Sequence, residues 1–348
     1  MVHSLGFLED QANAILTWRG DGSSSQQSKI LVGVGNQFHL MDEELDIVQS
    51  VSIDDGQINR LVSVSEGAGS SAYFSTTLGE VGFVSLSHNA VGKISSCKSA
   101  IISQNIQTTA IDSDIHRSGY MASVLFNSRS GGHFSLVDTQ RDSLIGTIGL
   151  GATGSPNALR FVDSAGQIAV ASMVSSLFDV RTTQSKDGIP SRVFRTGDAA
   201  GGGRSFTALE SDGGNTLIAG DSAGGLWLWD IRGTSAEPIK SVHAHSGAVL
   251  SIHLCDGIVG STSTDNSVSL WTIAEPPQTT QGVNKTKKHR KLLVEFGEDI
   301  GRLKRVAVEG NGSALGICIE ESVSGKDRRV AYVTDTGIVA LSEVGEWQ

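Results

Sequence analysis

This sequence predicts an all-β, seven-bladed β-propeller, and three observations predict it. Glycine is abundant, 42 of 348 residues, and spread through runs rich in Ser, Val and Ile, which suits many short strands joined by tight turns. Between residues 216 and 273, strand-like and turn-like segments alternate in groups of four. A distinctive end-of-strand slot recurs along the chain at intervals of 41 to 51 residues. That interval scatters around the ~40–45 residues of a four-stranded propeller blade.

The clearest segment begins with TLIAGD (216–221), a Gly turn and GLWLWDIRG (225–233). A polar loop and IKSVHAH (239–245) follow, then VLSIHLC (249–255), GIVGSTSTD (257–265) and SVSLWTI (267–273). The slot holds Trp229-Asp230 in the first of these units and Trp271-Thr272 in the second. Upstream it holds Phe178-Asp179, Val137-Asp138, Leu86-Ser87 and Met41-Asp42, and a last copy lies within 328–343. The expected blades span 14–53, 57–99, 107–149, 156–196, 204–245, 249–298 and 303–343 of one domain covering 1–348. VHSLGFLE (2–9) is positioned to add a strand to the last blade, which would close the ring and leave no inner sheet edge open to other chains.

Residues 204–273 resemble the WD-repeat family, and the resemblance extends more weakly over nearly the whole chain. It implies a buried hydrogen-bonded tetrad of His245, Ser263, Asp265 and Trp271, with Asp265 and Trp271 at the family's D-x₅-W spacing. Such groups are costly to bury unless they satisfy one another. In the preceding blade the turn Asp is replaced by Ala223, so that tetrad is expected to be broken. Within the family, FDVR and WDIR in consecutive blades, followed by a good blade with an insertion, are most similar to the small seven-bladed nucleoporins of the outer-ring, Y-shaped nuclear pore scaffold. That similarity implies a structural role at the nuclear envelope, docking on helical-solenoid nucleoporins, and in some organisms a kinetochore association in mitosis.

The same residues allow other chemistry. GDSAGG (220–225) fits the G-x-S-x-G nucleophile elbow, which would make Ser222 the nucleophile of a serine hydrolase. An elbow needs a helix after the serine, whereas GLWLWDIRG has β-favouring bulk and no helical period, so a turn is the favoured reading. His245, Ser263 and Asp265 also imitate a Ser-His-Asp set, which recurs by geometry and not by chain order. The tetrad accounts for their placement without catalysis. Arg181 and Arg232 each stand two residues after the slot's Asp, a WD-x-R pattern resembling the box by which some WD-repeat proteins dock on cullin-type ubiquitin ligases. A locally paired or exposed strand-end arginine gives the same pattern.

Composition narrows the partners. A net charge of −10 argues against direct nucleic-acid binding, and no apolar run reaches the ~20 residues of a membrane span. The N-terminus lacks the basic and apolar regions of a signal peptide, and three scattered cysteines suit a reducing compartment. His243, His245 and His253 lack metal-ligand spacing, and GDAAGGGRS (197–205) lacks the ending of a phosphate loop. No metal, cofactor or small-molecule substrate is therefore expected, and the chain reads as a non-enzymatic interaction scaffold. The basic insertion 278–291, with Lys287, Lys288 and Arg290, opposes the acidic whole. It suits either a localisation signal or contact with an acidic partner, and equally a solvated loop.

Overall fold

The computed structural model describes residues 2–8, 12–18, 29–66, 69–86, 94–101, 108–128, 131–150, 155–162, 166–172, 175–179, 189–195, 204–233, 235–255, 257–273, 302–307, 313–320 and 328–344. The chain opens with β1 (Val2–Phe7). The first sheet is β2 (Ala12–Trp18), β3 (Lys29–Val34), β4 (Gln37–Met41) and β5 (Ile47–Ser52). The second is β6 (Ile58–Glu66), β7 (Gly69–Thr76), β8 (Glu80–Leu86) and β9 (Ile94–Ile101). The third is β10 (Thr109–Ile115), β11 (Met121–Ser128), β12 (Gly131–Asp138) and β13 (Ser143–Gly149). The fourth is β14 (Ala158–Phe161), β15 (Gln167–Ala171), β16 (Ser175–Asp179) and β17 (Arg192–Phe194). The fifth is β18 (Phe206–Ser211), β19 (Thr216–Asp221), β20 (Gly225–Asp230) and β21 (Lys240–His243). The sixth is β22 (Val249–Cys255), β23 (Ile258–Ser263), β24 (Ser267–Thr272) and β25 (Arg302–Ala307). The last is β26 (Ala314–Glu320), β27 (Arg328–Thr334) and β28 (Ile338–Val344), with β1 added outside β28.

The described residues thus form seven four-stranded antiparallel sheets. Their first strands pack neighbour on neighbour, β2 on β6 and onward to β26, which packs back on β2. This is a β-propeller. The six upstream slot positions each fall at the C-terminal end of a third strand, from Met41 in β4 to Thr272 in β24. The first blade begins two residues before the expected 14 and the second ends two after the expected 99, and a larger departure follows: β25 completes the sixth sheet, pairing Val268 with Val306, although 303 onward was expected to open the seventh blade. The strand lies beyond the long insertion, where the repeat interval no longer locates it.

Apolar packing lies between neighbouring sheets. Trp227 and Trp229 share one face of β20 and pack with Phe194 and Phe206 against the fourth sheet. Leu226 and Leu228 face the other way and join Val249, Ile252 and Trp271 of the sixth. The strand period of two divides LWLW between two interfaces, which is why all four side chains are buried.

In six of the seven sheets one residue near the start of the first strand is bulged out of register, the second residue in five of them and the third, Ile111, in β10. Among them are Asn59 and Thr207, which line a cavity of about 150 Å³ on the axis together with residues from all seven first strands. A bulge re-aims a side chain without ending the sheet. Here it turns polar side chains onto the next blade. Asn59 Nδ2 donates to the Ala110 carbonyl at 3.1 Å and Thr207 Oγ1 to that of Val249 at 2.6 Å. Asn157, at the same level of the fourth blade, donates to Phe206 O at 2.7 Å.

Candidate functional site

Four constellations of polar or exposed apolar residues stand out, and the first is the expected tetrad. His245 is 2% exposed, between the fifth and sixth sheets. Its Nδ1 lies 3.0 Å from Ser267 Oγ and 3.3 Å from Asp265 Oδ1, and its Nε2 lies 2.8 Å from Ser261 Oγ. Ser267 Oγ donates to Asp265 Oδ1 at 2.5 Å, and Ser246 N to Asp265 Oδ2 at 2.9 Å. Ser263 instead accepts from the Asp265 amide at 3.1 Å. The serine facing the imidazole is Ser261, two residues earlier on the same face of β23, which corrects the expected assignment of Ser263. Trp271 stands opposite Val259 and packs among Val249, Ile252 and Leu228. The Ser261–His245–Asp265 order has the look of a catalytic triad, yet Ser261 is fully buried between strands, where no substrate reaches it.

The fifth sheet holds a displaced version. Asp221, fully buried, accepts from Trp227 Nε1 at 2.7 Å, Gly225 N at 2.9 Å and Ala223 N at 2.7 Å. It sits in the place of Ser263 and Trp227 in that of Ser269, so carboxylate and partner have both moved two residues from the expected positions. The gap at Ala223 is filled from the strand. The neighbouring Gly224 has φ +89°, and its carbonyl accepts from the Ala244 and His245 amides. A side chain on Gly224 would collide with the His245 carbonyl, so glycine is required there.

Ser222 lies exposed in this turn, its Oγ accepting from Ser205 N at 3.2 Å. β20 follows it as a strand, so the helix of a nucleophile elbow is not formed. The three histidines diverge: His243 is exposed on β21, His245 is buried in the cluster, and His253 meets Cys318. Ile319 N donates to His253 Nδ1 at 3.2 Å, which leaves Nε2 to carry the proton facing Cys318 Sγ at 4.0 Å. Burial pushes the Cys318 thiol up, but His253 and the Thr17 donors outweigh it and hold it below the ordinary thiol value. Among the described residues no three His, Cys, Asp or Glu side chains are grouped to hold a metal ion.

The third constellation is axial, and sequence reading missed it. Arg160 on β14 donates through Nη1 to Asp112 Oδ2 of β10 at 2.6 Å and also to Leu159 O. Its Nε lies 3.6 Å from Glu210 Oε2 of β18, which Arg60 of β6 approaches to 3.7 Å. Leu159 N and Phe161 N donate to Asp112 and Asp114, each at 2.9 Å. Burial opposes the Arg160 charge, yet Asp112, Glu210 and Asp114 raise its pKa above the ordinary arginine value. Burial pushes the Asp114 carboxyl up to about 6 against the pull of Arg160 and Arg60. One charged knot ties four blades together.

The fourth is apolar and exposed. Leu144 and Ile145 open β13, Ile189 precedes β17 and Ile239 precedes β21. These side chains lie at or just before the fourth strands of three consecutive sheets, at the end where the third strand turns into the fourth, and exposed Ile47 and Val48 open β5 at the same place in the first sheet. Arg232 lies at this end, 44% exposed, its Nε and Nη2 bound to Asp230 at 3.0 and 2.8 Å. This pair holds the Asp230 carboxyl below its usual value. Arg181, Lys287, Lys288 and Arg290 lie outside the described residues.

No protein-family model and no curated protein matches this sequence. Among solved structures the chain is similar to the crystal structure of Chaetomium thermophilum Raptor, with a TM-score of 0.70 at 11% identity. The match covers 100% of this chain and 29% of that one, so this chain spans under a third of its length. At that identity the likeness shows the β-propeller fold alone.

Proposed function

We propose that this chain is a non-enzymatic protein-interaction scaffold, and specifically a structural subunit of the nuclear pore outer ring that docks on helical-solenoid nucleoporins. The observation that carries the scaffold reading is the row of Leu144, Ile145, Ile189 and Ile239 on three consecutive blades. Exposed apolar residues that recur at one position of successive blades offer anchors for a protein partner running along that rim. The buried His245 and Asp221 clusters, by contrast, are occupied in holding blades together. The nuclear pore assignment is supported by the resemblance across Phe178 to Trp271, and it implies a location at the nuclear envelope.

Affinity purification from cells tests both levels. The native chain should recover outer-ring nucleoporins, and Ile145→Asp/Ile189→Asp should recover them at least about tenfold less well, as for two buried interface anchors. Undiminished recovery by the double variant removes the rim from the interface. Recovery of a cullin adaptor without nucleoporins overturns the pore assignment and favours a ligase receptor, for which Arg232→Ala should abolish adaptor binding.

A further inference from the structure

At the end of the axis where first strands turn into second strands lies a cavity of about 460 Å³, within the ~300–1,000 Å³ range of ligand sites. Val62, Val64, Ile115 and Phe161 supply apolar wall, and Asp114 and Glu210 are its carboxylates. Arg60 and Arg160 are not among its lining; their guanidinium groups are turned to Glu210 and Asp112 deeper on the axis. Asp114 is 7% exposed. Its Oδ2 accepts from Phe161 N, and Arg160 and Arg60 act on it through their charge without a direct ion pair. A buried carboxylate facing an open cavity with one hydrogen bond is poorly satisfied. Arg117 lies across Gly213 at the rim, and His116 meets Phe161 edge-on at 5.5 Å.

We propose that this cavity binds a guanidinium or primary ammonium group on an aliphatic stem, with Asp114 and Glu210 receiving the cation and the apolar wall receiving the stem. Arg60 and Arg160 are engaged with Glu210 and Asp112, which leaves Asp114 as the carboxylate at the cavity without a direct ion pair and favours a cation there. The stem matches Val62, Val64 and Phe161, and an Arg or Lys side chain buries its methylenes along such a surface. The proposal uses the axial cavity and not the rim, so it stands independently of the nuclear pore assignment. A basic side chain of a partner and a free small diamine share this chemistry.

The sign of the pH dependence follows from the raised Asp114 carboxyl. With a native value near 6, Asp114 is charged at pH 7.5 and about nine-tenths protonated at pH 5, so affinity should fall about tenfold across that interval. Arg160 and Arg60 pull this value down and Glu210 pushes it up, while His116 and Arg117 stand at the mouth. Because His116 also lines the cavity, each titration is repeated on Asp114→Asn.

The experiment is calorimetric titration of the folded chain with agmatine and with the blocked tripeptide acetyl-Gly-Arg-Gly-amide, at pH 7.5 and 5. Saturable binding at pH 7.5 is expected, at least tenfold weaker in Asp114→Asn and at pH 5. Ser63→Trp, at an exposed position on the cavity wall, should block entry without touching Asp114. Thermal melts of both variants confirm the fold before titration. Tighter binding of the tripeptide assigns a partner's side chain, and tighter binding of agmatine a free cation. The proposal is overturned if neither probe binds, or if both variants bind as the native chain does.

Discussion

Substituting Arg160 by methionine should destabilise the chain by about 3–5 kcal/mol, the cost of breaking a buried ion pair from one side. Arg160 is 5% exposed and bonds Asp112 directly, with Glu210 3.6 Å away. Methionine fills much of the volume, so the loss reports charge and hydrogen bonding more than packing. Asp112 would keep the Leu159 amide but lose its cation while remaining 8% exposed. Arg160→Met/Asp112→Asn should recover part of the loss, because the uncompensated charge is then gone. Urea unfolding with an unchanged slope gives the comparison. A midpoint shift worth under about 1 kcal/mol in Arg160→Met would mean that the knot does not clamp the blades.

What the sequence made legible was periodic and local. LWLWDIRG announces a strand buried on both faces, and the end-of-strand slot it contains, recurring every 41 to 51 residues, locates the third strands of six sheets. The sixth sheet's last strand was not legible, because Arg302–Ala307 pairs across a long insertion whose length no period encodes. Ser261 and Ser263 share one face of β23, so alternation alone cannot say which meets His245. The axial knot has its members on four strands separated by up to 150 residues, and only ring closure brings them together. A faint signal existed: TAIDSDI, ALRF and TALES each carry charge inside an otherwise strand-like apolar run. In a first strand, such a charge faces either a partner across the axis or an unpaid desolvation.

Asp221 provides the sharpest contrast between the two levels of reading, and its removal should cost about 3–5 kcal/mol. Its carboxylate takes the Trp227 indole and the Ala223 and Gly225 amides. Alanine would strand these donors in a buried turn, at roughly 1–3 kcal/mol for each one left unsatisfied. Arg204, 3.8 Å from the carboxylate and 44% exposed, can return to water and adds little. Trp227→Phe should cost less, since Asp221 keeps two amides, and the double variant should show coupling of about 1–2 kcal/mol between the pair. Asp265→Ala in the sixth sheet is the control. Its carboxylate takes Ser246 N and Ser267 Oγ and faces His245, so the two losses should agree within about 1 kcal/mol. A tolerated Asp221→Ala beside a costly Asp265→Ala would restore the view that the fifth blade's polar cluster is broken at Ala223. Equal losses establish instead that the fifth blade keeps a polar cluster, moved two residues along the strand, in which Asp221 satisfies a turn's amides and holds the Trp227 indole.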